Sequence, residues 1–131
     1  MTERPLSPHL SVYRMRRYTL LTSITNRATG LVLSAGLILL VYWLVAVASG
    51  ESAYRGARHV LSLGVLKAVY VILLATFSYH LIAGIRHLIW DSGAGLERAQ
   101  AKRSAAVVAV ASLLLLAGLA WWALHGGGRA P

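Results

Sequence analysis

From Ala28 to Ser49 the chain carries no charged side chain. Coiled as an α-helix, that run would reach about 33 Å, enough to cross a hydrocarbon core of about 30 Å. The apolar character resumes after residues 50–60 and continues to Trp90, then returns from Ser104 to Leu124. Lipid offers no partner for backbone N–H and C=O groups, so runs of this length must satisfy them within helices. The expectation is an all-α membrane protein with three transmembrane helices, over residues 28–49, 68–90 and 104–124. The second run is too long for one bilayer, so Lys67 is expected to mark its outer edge with the ammonium snorkelling. Residues 1–27 read as a basic segment whose stretch RPLSPHLSVY, broken by Pro5 and Pro8, is an extended strap. Residues 50–60 read as a short loop, 91–103 as a charged loop, and 125–131 as a flexible tail.

The net charge of +9 invites a nucleic-acid reading, but its distribution favours another. Arg4, Arg14, Arg16, Arg17 and Arg27 precede the first span, and Arg98, Lys102 and Arg103 follow the second. Those eight face only Arg55, Arg58 and Arg129 on the other side. By the positive-inside rule the N-terminus is cytoplasmic and the C-terminus external, with the lipid bilayer as partner and no nucleic acid. No apolar core directly follows the first residues, so a cleaved signal peptide is not expected. The 131 residues contain no cysteine, which excludes disulfides, covalent c-type haem attachment and iron–sulfur clusters ligated by this chain.

Within the second span stands HLIAGIRHLIWD, residues 80–91. Ionisable groups in a span cost roughly 2.5–3.5 kcal/mol each at its centre on insertion scales, so they mark a candidate site. His80, Gly84 and His87 fall on one helical face, which Thr76 extends by a turn. A glycine one turn from an imidazole leaves a flat space, the shape a planar cofactor needs. His80, near the expected midplane, is either an axial haem ligand or a structural histidine bonded to helix backbone. His87 is a ligand, a propionate partner or an interfacial histidine. Arg86 points away from that face, towards a neighbouring subunit or lipid phosphate. Just before the first span Ser23 and Arg27 lie one turn apart, with Gly30 and Ser34 continuing their face as a small-xxx-small pair. Arg27 is either an interfacial anchor or, paired with Ser23, a donor to a carbonyl oxygen. One histidine at midplane depth cannot fill both axial positions of a haem, so a second membrane chain is expected.

These motifs resemble a known family. RPLSPHLSVY at 4–13, SITNRATG at 23–30 and HLIAGIRHLIWDSG at 80–93 are similar to segments of the cytochrome b anchor subunit of succinate dehydrogenase, respiratory complex II. The resemblance implies that His80 is one axial ligand of a b-type haem, the second coming from a small membrane-anchor subunit. It also implies that Ser23 and Arg27 line a ubiquinone site completed by the iron–sulfur subunit and the small anchor subunit, with a flavoprotein subunit oxidising succinate. Arg27 and His87 are then candidate contacts for the haem propionates, and the location is a bacterial inner membrane. One position departs: Asn26 stands where the family has histidine, and an amide cannot become a cation. The alternatives are a fumarate reductase anchor working with menaquinone, and a non-redox membrane scaffold with incidental histidines.

Overall fold

A computed structural model of the chain describes residues 17–126, with side chains from Leu20 onward. The extended strap expected at 4–13 and the tail beyond Gly126 lie outside the described residues. Four helices follow one another: α1 (Arg17–Ala48), α2 (Glu51–Leu61), α3 (Gly64–Asp91) and α4 (Arg98–His125). Among the described residues three of them, α1 from Leu20 onward, α3 and α4, are long and apolar enough to cross a membrane. The all-α, three-span architecture expected from the apolar runs is therefore present.

The helices are longer than those runs. α1 has 32 residues, and α3 and α4 have 28 each, about 48 and 42 Å long. α1 begins eleven positions before Ala28, because Arg17 and Arg27 interrupt hydropathy without interrupting backbone hydrogen bonding. Likewise α4 begins at Arg98, so Lys102 and Arg103 belong to a helix and not to a loop.

Residues 50–60 are not a loop. α2 is an amphipathic helix joined to α1 through Ser49 and Gly50, and Gly50 adopts φ +100°, a left-handed corner open to glycine. Tyr54, Ala57 and Leu61 are its less exposed positions, at i, i+3 and i+7, and Ala57 is buried. Arg55 and Glu51 pair on the exposed side at 2.7 Å. The Tyr70 hydroxyl donates to the Leu61 carbonyl at 2.9 Å, satisfying one of the acceptors that α2 leaves at its end.

α3 is the centre of the bundle, packing chiefly against α4 and α1, while α2 packs on α1. Small residues allow these approaches. Ser78 and Ala83 of α3 and Ser112 of α4 are buried, and each serine returns its hydroxyl to its own helix, to Leu74 O and Val108 O. A Cβ on Gly36 would come within 2.5 Å of Leu73 Cδ2, so glycine sets the α1–α3 distance there. The antiparallel α1–α3 register therefore runs from Gly36 beside Leu73 to Gly30 beside His80. Large apolar side chains such as Leu31, Ile38, Leu113, Leu114 and Trp122 remain exposed on the outer faces. Lipid or a neighbouring membrane chain can cover them at no cost in polar groups.

Candidate haem and quinone site

His80 stands on α3 about 24 Å from Gly64 and about 17 Å from Asp91, somewhat towards the α3–α4 turn. Its imidazole packs against α1. Nδ1 lies 3.2 Å from the Asn26 carbonyl oxygen and 3.1 Å from Thr29 Oγ1. A carbonyl only accepts, so the Nδ1 proton is present and is shared between the two oxygens. Thr29 Oγ1 in turn lies 2.8 Å from Thr25 O and 2.9 Å from Asn26 O, where its own proton is donated. Were Nδ1 bare, its lone pair would face the Asn26 carbonyl oxygen. In the neutral ring Nε2 then holds the lone pair that a metal-ligating imidazole requires.

The close approach depends on Gly30. A Cβ there would stand 3.1 Å from His80 Cε1, tight enough to push the ring away. Gly84, which the helical face singled out as the neighbour of the imidazole, has nothing within 4 Å of its Cβ position. The space expected beside it is there, but the glycine touching the ring belongs to α1.

His80 and Gly30 close one end of a groove of 580 Å³ between α1 and α3, which continues past Leu33, Leu73 and Phe77 to Leu40 and Tyr70. Its lining is mostly apolar, and its size falls within the range of small-molecule sites. Among the described residues no group of three His, Cys, Asp or Glu gathers to hold a metal ion.

The register places the other expected site residues on the turn side of His80. Arg27 follows Asn26, the residue whose carbonyl meets the imidazole, and stands about 15 Å along α1 from Arg17. It lies well inside α1, which continues past it to Arg17. Its side chain is exposed, Ser23 one turn away is half-buried, and neither has a polar partner among the described residues. Asn26 Oδ1 is buried without a hydrogen-bond partner among them. The Tyr79 hydroxyl reaches the Thr22 carbonyl at 3.4 Å, a second tie between α1 and α3 near this end. His87 is about 10.5 Å along α3 from His80 and meets the Trp90 ring edge-on at 5.5 Å, so the two histidines are not brought together.

Arg86 departs from expectation. It is only 6% exposed and turns inward to α4, not out to lipid. Nε donates to Ser104 Oγ at 2.9 Å and Nη2 to Ala101 O at 3.0 Å, while the guanidinium lies 3.8 Å over the Trp90 ring. Trp90 Nε1 donates to Gly95 O at 3.1 Å, so one arginine and one tryptophan bind the α3–α4 turn to both helices. The sequence signal for this was Arg86 and Trp90 one helical turn apart, with Ser104 opening the next apolar run.

A family model described as succinate dehydrogenase/fumarate reductase transmembrane subunit matches residues 1–119. The chain belongs to that family. It is 40% identical over 112 residues to the succinate dehydrogenase cytochrome b556 subunit of Paracoccus denitrificans, covering 86% of this chain and 85% of that protein. The mitochondrial succinate dehydrogenase cytochrome b560 subunit of Homo sapiens is 36% identical over 121 residues, 91% of this chain and 71% of that one. The cytochrome b556 subunit of Rickettsia felis is 34% identical over 113 residues, covering 86% and 87%. The resemblance read from the three motifs thus extends over most of the chain, and these relatives are subunits of an enzyme complex.

Proposed function

We propose that this chain is the haem b-ligating membrane anchor of a bacterial inner-membrane succinate dehydrogenase, delivering electrons to ubiquinone. The observation that carries the proposal is the setting of His80: Nδ1 lies within hydrogen-bond distance of Asn26 O and Thr29 Oγ1, which leaves Nε2 for iron, and the residue lines one end of an apolar groove. The bound haem would supply a one-electron store beside the quinone. The second axial histidine comes from a small membrane-anchor subunit, since His87 lies two turns away. Succinate is oxidised elsewhere, in a flavoprotein subunit whose electrons arrive through an iron–sulfur subunit.

This chain's own chemistry at the quinone is positioning. Ser23 and Arg27 offer a hydroxyl and a guanidinium one turn apart on α1, and both side chains can donate to a quinone oxygen as negative charge develops on it. Arg27 lies beside the level of His80, so the same cation can also meet a haem propionate, with His87 as a second contact. Asn26 can donate to a propionate through Nδ2 but contributes no charge.

Two measurements test this reading. A complex purified through a tag on this chain should contain the flavoprotein and iron–sulfur subunits and one protohaem per copy. Full assembly without protohaem would instead favour a scaffold. The orientation is tested separately by a reporter active only in the cytoplasm, fused after Pro131. It should be silent, and a strong signal would overturn the external C-terminus that the eight-to-three basic asymmetry implies.

A further inference from the structure

Ser34, Ser78, Ser104 and Ser112 each donate to a carbonyl three or four residues back, and among their oxygens only that of Ser104 accepts from a residue of another helix, Arg86. Thr29 makes the same local bond, to Thr25 O or Asn26 O, but its oxygen also faces an imidazole nitrogen across the α1–α3 interface. The local bond consumes the hydroxyl proton, so towards His80 the oxygen can only accept. Its β-branched side chain, tied at Oγ1, holds that lone pair in place.

We infer that Thr29 is a positioning residue for the haem ligand: its hydroxyl oxygen accepts from His80 Nδ1–H, fixes the ring plane, and lowers the haem midpoint potential. The inference rests on the haem reading above. The physical reason is that an acceptor at Nδ1–H adds electron density to the imidazole, which makes Nε2 a better donor and favours ferric over ferrous iron. The Asn26 carbonyl alone would still fix the tautomer, so removing the hydroxyl should change the ligand's strength and orientation and not its identity. One neutral hydrogen bond corresponds to about a fivefold change in the ferric-to-ferrous equilibrium, or about 40 mV at 59 mV per factor of ten.

The test compares Thr29→Val, which keeps the shape without the oxygen, with Thr29→Ser, which keeps the oxygen. Both are made in the assembled complex, with haem per complex, midpoint potential and low-temperature electron paramagnetic resonance as readouts. Thr29→Val at full haem content should titrate at a higher potential with shifted low-spin g-values, and Thr29→Ser should restore both. A Thr29→Val potential unchanged or lower would overturn the inference. If Thr29→Val loses haem altogether, retention of wild-type haem content and spectrum by Thr29→Ser supports the hydroxyl's role. Loss in both variants shows that the methyl packing matters instead and overturns it. Failure of the haem reading itself shows independently, as an unchanged haem spectrum in His80→Ala.

Discussion

In an otherwise assembled complex, His80→Ala should abolish the low-spin b-type haem signal or convert it to a shifted, high-spin one. The effect is large because the substitution removes the whole Nε2 donor, and among the described residues no second histidine stands beside it. His87 is two turns along α3 with its ring against Trp90, and no three potential metal ligands gather among the described residues. A water or foreign side chain can occupy the vacated position, so a displaced spectrum fulfils the expectation as well as outright loss. His59→Ala is the control. His59 is exposed on α2, on the α1 end that packs far from Gly30, and its removal should leave the spectrum unchanged. An unaltered spectrum in purified His80→Ala would place the ligand elsewhere.

The three spans were legible because lipid imposes a length and a composition that few other environments require. Their ends were not, since an α-helix is defined by backbone hydrogen bonds that continue through Arg17, Lys102 and Arg103 after the apolar run has stopped. α2 was passed over for a related reason. Its Glu51, Arg55, Arg58 and His59 make residues 50–60 look like a polar loop, although Tyr54, Ala57 and Leu61 keep a helical period. Arg86 shows how a helical-wheel angle can mislead. The wheel locates Arg86 away from the His80 face but says nothing of α4, whose Ser104 and Ala101 receive it.

His80 was legible as a candidate from the cost of an ionisable group in a span, but its neighbours were not. Those depend on the α1–α3 register, which brings Asn26 O and Thr29 Oγ1 to Nδ1 and Gly30 beneath the ring. No local pattern encodes such a register. It emerges from Gly36 meeting Leu73 and Gly30 meeting His80 along one seam.

Arg27→Ala should slow succinate-to-ubiquinone turnover by roughly ten- to a hundredfold, and Ser23→Ala by less. A hydrogen bond to a charged group contributes about 1.5–3 kcal/mol against about 1 kcal/mol for a neutral one, and each 1.4 kcal/mol is a factor of ten. In the proposed site the guanidinium would act on charge that develops as the quinone is reduced, so its loss should weigh on the rate and not only on binding. Nothing in α1 requires Arg27 for packing: its side chain is exposed and has no polar partner among the described residues. Assembly should therefore survive the substitution.

The central claim is that this chain builds the place where ubiquinone is reduced, and one ratio tests it most directly. Succinate-to-ubiquinone turnover is measured beside succinate-to-dye turnover on the same assembled preparation, the dye drawing electrons from the soluble module. The account predicts that Arg27→Ala collapses the first rate and leaves the second intact. Loss of both in step with loss of assembled complex would make Arg27 an assembly residue, and would contradict the quinone site proposed on α1.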